Sequence, residues 1–433
     1  MKNTFYHLGI LFSVCFIGCS GEQKINLVDW NKIESIDVEN INSDLVLGNP
    51  TIDIGIYFPS NLDPSFKKVT LDQLVKGFKS AKEIYKPTSM QLNLLWIKTG
   101  KIDKKFLSTR SVLPQYIKEP LLQEMILCPT LAYGSAWEND VDFNQFVILF
   151  RSIFLEGLSR PFGGMRKILK MLEDKFTQNG GELKYRSPVK KVLRSEKGVQ
   201  GVVLQKGEIL YTNSIISCAG YPETMAMVEQ ADPLEKPSIG KFSFTESIAV
   251  LNKKPQDFGQ KAATIFYSSR PQYKYENPST LFETETAILS FPNNFQDDPL
   301  TEGMARVTYL ANYELWKKLE RKEYKEKKEE VFAESLKLFE TFCPGMKDHL
   351  VLKDVFTPTT IEKFTSHSKG TIYGSPQKSK RGTTPVNGLY LCGTDQGFLG
   401  IIGSLLSGIS MATIYLSYLC LQVSQLGNAR LIP

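Results

Sequence analysis

The segment Gly388–Ala412, GLYLCGTDQGFLGIIGSLLSGISMA, constrains the fold more than any other part of the chain. Gly388 to Cys392 is apolar on both alternating faces, which suits a strand covered on both sides, as in a parallel sheet. Gly393-Thr394-Asp395 ends that strand abruptly, and a helix is predicted from near Gly400. A second run of the same kind, Ser214 to Ala219 (SIISCA), ends at Gly220. Two buried parallel strands require crossover connections, so the chain is read as α/β.

The rest of the chain fits that class. Arg160-Pro161-Phe162-Gly163-Gly164 opens a helix in which Met165, Ile168, Leu169, Leu172 and Phe176 recur at helical spacing, and Asn179-Gly180-Gly181 closes it. Strands are predicted at Glu182–Tyr185, Val189–Leu193, Val199–Leu204 and Glu208–Tyr211, separated by turn dipeptides, and together they read as a meander. Pro114 to Leu158 holds two helices around Tyr133-Gly134-Ser135 and reads as an apolar helical wall. Leu71 to Ile84 reads as an amphipathic helix. Further on, strands are predicted at Ser247–Leu251, Ala287–Phe291 and Ala305–Leu310. They are followed by one long charged helix with Phe332, Leu336, Phe339 and Cys343 on its buried face. No internal repeat suggests a solenoid.

Composition excludes several chemistries. The 52 basic and 46 acidic residues leave a net charge of +6, spread through mixed-sign segments, which argues against nucleic acid as a partner. The basic residues Lys378, Lys380 and Arg381 read as a solvated loop. Seven cysteines without a CxxC pair and three histidines offer no metal-ligand spacing, so no metal is expected. The same scarcity leaves His349 and His367 without the context of a nucleophile and its base.

In the segment first considered, the positive end of the helix and its unpaired amides suit an anionic or electron-rich ligand. Asp395 is placed to accept a hydrogen bond from a ribose or ribitol hydroxyl, and Gly400 and Gly403 let backbone approach a flat ring. Generic strand, turn and helix units share these features. The order of motifs adds to them: RPFGGM at Arg160–Met165, SPVKKVL at Ser187–Leu193, SIISCAG at Ser214–Gly220, FTPTTIEKF at Phe356–Phe364, GTIYGS at Gly370–Ser375, and GLYLCGTDQGFLGIIGSLLSG at Gly388–Gly408. This order, covering roughly residues 101–420, is similar to the phytoene desaturase, carotenoid isomerase and retinol saturase group of flavoproteins, relatives of the amine oxidases.

The resemblance implies an FAD-binding Rossmann-like domain, incomplete here, with an inserted mixed sheet-and-helix substrate domain. The FAD-binding parts would be residues 156–225 and 376–423, and the substrate domain residues 23–155 and 226–375. Residues matching Val189 lie at the adenine end of the cofactor. The residue matching Asp395 approaches its ribitol and pyrophosphate, Gly393 would be a further cofactor-binding position, and residues matching Gly400, Ile401 and Ile402 begin a helix aimed at the flavin ring. The implied reaction is hydride or electron exchange between FAD and an apolar polyene or isoprenoid substrate, with the flavin carrying the chemistry and no catalytic side chain named. Tyr373 would line the substrate side or serve as a core tyrosine. Two other readings stay open: a flavin-dependent cis-trans isomerase, and a non-catalytic lipoprotein or scaffold.

The family's GxGxxG loop, which holds the FAD pyrophosphate, is absent from the sequence. A truncated start or a lineage that lost the loop are the two expectations, and either puts tight FAD binding in question. The first 22 residues carry Lys2, an apolar stretch and Cys19, and resemble a bacterial lipoprotein signal that would anchor the chain to a membrane through Cys19; otherwise they are an ordinary buried element of a cytoplasmic protein. No charge occurs between Asp395 and Arg430, a length that could span a bilayer. Gly403, Ser404, Ser407, Gly408 and Ser410 fit close packing against sheet and cofactor better than lipid.

Overall fold

A computed structural model describes residues 54–57 and 106–413, apart from 159, 162–163, 230–236 and 296–299. Its largest element is a six-stranded sheet, in the order β1 (Ile54–Tyr57), β7 (Thr264–Ser268), β8 (Thr286–Ser290), β9 (Gly303–Ala311), β6 (Ser243–Leu251) and β10 (Leu350–Phe356). β1 pairs with β7 in parallel and the remaining pairs are antiparallel. The two-residue period of β9 decides what each face carries. Ala305, Val307, Tyr309 and Ala311 join Ile265, Ala287 and Leu289 on one face, while Leu310 joins Phe266 and Ile288 on the other.

Each face is closed by helices. The first face packs against α7 (Arg321–Phe342) through Val331, Phe332 and Phe339, and the buried Ser335 hydroxyl donates to Ser247 Oγ at 2.7 Å. The opposite face is covered by the helical wall α1 (Thr109–Tyr116), α2 (Pro120–Ala132) and α3 (Phe143–Phe150), the last continuing in a wider π turn over Arg151–Glu156. Local chemistry starts these helices where they start: Ser108 Oγ accepts the Ser111 amide at 3.1 Å, Pro120 opens α2, and Asp142 Oδ1 accepts the Asn144 amide at 3.1 Å. A row of Phe143, Phe146, Phe150 and Phe154 then runs along one side of α3, with neighbouring ring centroids 4.8–5.9 Å apart.

A second, smaller unit precedes β6 in the chain and returns after α8 (Pro358–Thr365). It holds α4 (Met165–Gln178), a meander of β2 (Val189–Ser195), β3 (Gly198–Leu204) and β4 (Ile209–Tyr211), then β5 (Ile215–Ser217) and α5 (Tyr221–Met227). β11 (Leu389–Leu391) pairs in parallel with β5, and α9 (residues 400–413) follows it. Val192, Val202, Leu204, Ile215, Val386 and Leu389 form its core. The mixed sheet-and-helix architecture expected from the sequence is therefore present.

Some expectations need correction. Glu182–Tyr185 is not a fourth strand of the meander; Tyr185 is tied instead to α4 through its hydroxyl, 2.5 Å from Glu173 Oε1. The long charged helix is two helices, α6 (Tyr313–Lys318) and α7, because the chain turns extended at Leu319 and Glu320. α4 forms where periodicity placed it, yet none of its residues is buried by the described part of the chain. The helix expected at Leu71–Ile84, Cys19 and the end of the charge-free segment lie outside the described residues. Among the described residues no helix is long and apolar enough to cross a membrane.

Candidate functional site

β5 and β11 run side by side with Leu389, Tyr390 and Leu391 opposite Ile215, Ile216 and Ser217. They end together, at Gly220 (φ 102°) and Gly393 (φ 82°). Ligands of open parallel sheets sit beyond such carboxyl ends. Here the two turns are joined by one buried carboxylate. Asp395, 2% exposed, accepts the Tyr221 amide on Oδ2 at 2.6 Å, and on Oδ1 the Ser375 amide at 2.9 Å and the Lys378 ammonium at 3.1 Å.

Lys378 thus departs from the solvated loop expected of it. Its ammonium points inward and also donates to the Tyr373 carbonyl at 2.5 Å. Burial lowers its pKa, while the Asp395 carboxylate works in the opposite direction. Lys380 and Arg381 are exposed. Asp395 stands at the strand end as the sequence places it, but three protein donors take up much of the lone-pair capacity with which it would meet a ribose or ribitol hydroxyl.

The turn after Asp395 is fixed to α9 by a second buried network. The Gly393 amide donates to Ser407 Oγ at 2.5 Å, the Ser407 hydroxyl donates to Gln396 Oε1 at 2.5 Å, and Gln396 Nε2 approaches Met411 Sδ at 3.3 Å. Ser407, Ser410 and Met411 therefore form the inner face of α9. The small residues of this helix serve close packing, as the sequence suggested for Ser407 and Ser410, whereas Gly408 is exposed.

The outer face of α9 is apolar. Ile401, Ile402 and Ile409 are 48%, 67% and 62% exposed, and Gly400 is exposed beside them. A methyl group added at Gly393 or at Gly400 would meet nothing within 4 Å, so the ground before both is open. The first turn of α9 also has amides with no partner inside the helix. Open backbone, helix amides and an apolar shelf fit a flat, partly apolar ring with an electron-rich edge. They do not supply a glycine-rich phosphate loop, and no GxGxxG occurs in the chain. Of the six expected site residues, Gly393 and Asp395 lie buried in the turn after β11, and Gly400, Ile401 and Ile402 lie exposed at the start of α9. The sixth, Val189, starts β2 opposite Leu204 and is half-buried against the small unit's core. No cluster of metal-binding side chains occurs among the described residues.

The GTIYGS loop leads from this site to the large sheet. Ser243 Oγ donates to the Gly370 carbonyl at 2.6 Å, and Tyr373 donates its hydroxyl to the Ala132 carbonyl at the end of α2. Burial pushes the Tyr373 phenol well above its ordinary pKa, and pushes that of Tyr133 up to about 12. Near Tyr133, Glu246 (7% exposed) accepts Arg306 Nε at 2.5 Å and the Thr308 hydroxyl at 3.0 Å. Sequence reading missed this polar cluster; the available signal was a glutamate inside the otherwise neutral strand of β6. The space between α2 and the sheet, lined by Ala132, Phe244, Tyr273, Tyr275, Ile288 and Leu310 among others, is about 10 Å³. That is room for about one water.

Comparison with known proteins bears on the family and the fold. Residues 107–414 match the family described as flavin containing amine oxidoreductase. The chain is 29% identical over 278 residues to prolycopene isomerase 2, chloroplastic, of an Oncidium hybrid cultivar, covering 59% of this chain and 46% of that protein. It is 26% identical over 310 residues to all-trans-retinol 13,14-reductase of Danio rerio, covering 61% and 50%. The chain thus spans about half the length of the curated relatives it matches. Among solved structures, an oxidoreductase from Methanosarcina mazei superposes with a TM-score of 0.54 at 14% identity, covering 86% of this chain and 82% of that one, which establishes likeness of fold. The family match extends over well more than half of the 433 residues, and the chain belongs to the flavin containing amine oxidoreductase family.

Proposed function

We propose that this chain acts as a FAD-dependent oxidoreductase of the desaturase or saturase type on an apolar polyene or isoprenoid substrate. The observation that carries the reading is the turn and helix of Gly393 to Ile402, where open glycines, helix amides and exposed isoleucines meet. Bound there, FAD would supply the hydride or electron transfer. The protein's part would be to present the α9 amides to the ring edge, to cover one ring face with Ile401 and Ile402, and to hold the turn rigid through Asp395, Gln396 and Ser407. Val189 would contribute at the adenine end. In this reading residues 156–225 and 376–423 form the FAD-binding unit and residues 23–155 and 226–375 the substrate unit. An apolar substrate also suits a site of work at a membrane surface, with Cys19 as the corresponding anchor.

The test is flavin retention by the purified full chain incubated with FAD. Bound flavin absorbance is the expected result; a colourless chain that takes up no flavin favours the scaffold reading and ends the oxidoreductase one. Ile402→Glu changes an exposed side chain, so it should leave the fold intact while weakening flavin retention at least severalfold. Equal retention would remove α9 from the flavin site. The isomerase reading is favoured by the prolycopene isomerases among the relatives. Product mass separates the two: a change of two hydrogens marks the oxidoreductase, and a product of unchanged mass marks the isomerase.

A further inference from the structure

We propose that Cys218 and Cys392 form a reversible disulfide across the ends of β5 and β11, with a hydroperoxide as oxidant. Both residues directly follow the last paired positions, Ser217 and Leu391, and the Cys392 amide donates to the Ser217 carbonyl at 2.9 Å, which carries the parallel register one step further. Residues opposite one another on neighbouring strands lie about 5 Å apart with side chains on one face. That is within the separation a disulfide spans. Both cysteines are half-buried at the strand ends and neither is enclosed in the core, so a molecule as small as a peroxide can reach them. Cys128 and Cys343, at 2% and 1% exposure, are enclosed in the large unit with no opposing cysteine in the strand register, so they serve as internal controls.

The pair divides into an attacking and a resolving sulfur. The hydrogen bond with Cys392, followed by burial, raises the pKa of Cys218 well above that of an ordinary thiol, so Cys218 holds its proton and donates toward Cys392. Cys392 then attacks a peroxide oxygen; the O–O bond breaks, leaving a sulfenic acid on Cys392 and, from hydrogen peroxide, one water. Cys218 sulfur next attacks the sulfenic sulfur. The S–S bond forms, the S–O bond breaks, and the hydroxide departs as a second water with the Cys218 proton. Two thiols have lost two electrons and two protons, and one peroxide has become two waters. A dithiol reverses the change by exchange. The bridge would join the strand ends two residues before Gly220 and one before Gly393, fixing the distance between the two turns that Asp395 also spans.

The test uses the full chain, reduced and then exposed to a few equivalents of hydrogen peroxide, with remaining thiols alkylated by N-ethylmaleimide and peptides mapped without reduction. The expected result is one cross-linked pair containing Cys218 and Cys392, two fewer maleimide adducts per chain, and recovery of both with dithiothreitol. Cys218→Ser should abolish the cross-link and leave oxygen adducts on Cys392, while Cys128→Ser should leave the cross-link unchanged. Wild-type mapping decides the matter by itself should a variant fail to fold. The proposal is overturned if Cys218 and Cys392 stay alkylatable at a dose that oxidises exposed methionine, if each is oxidised separately, or if either pairs instead with Cys15, Cys19 or Cys420.

Discussion

Lys378 and Asp395 pose a problem of charge burial. Their side chains are 16% and 1% exposed, and neither charge has bulk water to fall back on. Removing one partner of such a pair typically costs about 3–5 kcal/mol, because the other charge is left without compensation. Asp395→Asn should therefore lower the free energy of unfolding by about 3 kcal/mol, read from the urea midpoint. Adding Lys378→Met removes the stranded ammonium, and the double variant should recover about 1 kcal/mol or more through coupling. Additive losses would show that the pair does not act as a unit. A second, half-buried carboxylate, Glu223, contributes to the acid limb of stability. Burial would raise the pKa of Glu223, but the His367 ring, whose Nδ1 lies 3.9 Å from Oε1, and the backbone amides of Ser368, at 2.6 Å, and of Glu223 outweigh it and hold the carboxyl below its usual value. A carboxyl depressed in the folded state contributes stability above the ordinary carboxylate pKa of about 4.3, and that contribution is lost as pH falls through the lower folded value. Glu223→Gln should flatten the loss of stability across that window and leave the neutral-pH slope unchanged, as followed by urea titrations at stepped pH. Identical acid limbs for the two proteins would count against this assignment.

Turns, more than strands or helices, position the site, and two glycines show the difference between a conformational and a steric demand. Gly374 has φ 63°, and a Cβ there would lie 2.0 Å from Asp395 Oδ1. Gly207, in the β3–β4 turn, has φ 91° with nothing within 4 Å of an added Cβ. Gly207→Ala should cost only the left-handed backbone penalty of about 1–2 kcal/mol. Gly374→Ala should cost measurably more in unfolding free energy, because it also displaces the carboxylate; equal losses would show that the Asp395 side chain yields without penalty. Legibility in the sequence follows the same division. The α4 periodicity, the two runs apolar on both faces, and the alternation of β9 were readable, since burial against one partner leaves a period in the chain. Glu182–Tyr185 was misread because its short apolar pattern is satisfied by one hydroxyl reaching Glu173 and not by a ladder. β10 was missed because LVLKDVF sits at an edge with Val351 and Leu352 exposed, so no face is marked. Lys378 was misread because a basic cluster resembles a solvated loop, and its partner Asp395 stands 17 positions away. The Glu246–Arg306 pair, 60 positions apart, was hidden for the same reason: long-range partners leave no local spacing.

At the scale of the whole molecule, apolar burial is divided unequally. The six-stranded sheet has a hydrophobic cluster on each face, including Trp316, Phe339 and Phe291 on one and Phe154, Phe266 and Tyr275 on the other. The unit that carries the candidate site has a core of mainly valine and leucine, a two-stranded sheet, and a helix α4 with no buried residue among those described. Local opening follows the density of buried apolar contact, so the two parts should differ in stability. Amides of β6, β8 and β9 should exchange with deuterium most slowly, and those of α4, the meander and the β5–β11 pair should exchange well before global unfolding. A ligand that binds only the folded form stabilises what it touches by mass action. If the proposed flavin site is correct, saturating FAD should slow exchange in α9, in the β5–β11 ends and in the meander, while leaving β6 to β9 unchanged. Hydrogen-exchange mass spectrometry with and without FAD reads both effects. Uniform protection without ligand would show that the two units open as one, and protection gained chiefly under the α1–α3 wall would move the ligand site away from Gly393 and Gly400. The inequality also bears on the proposed function: among the described residues, the pocket between α2 and the sheet lined by Ala132, Phe244 and Tyr275 has room for about one water. If the proposed polyene enters there, motion is required, and the unit predicted to open first, beside Tyr373, is where that motion should cost least.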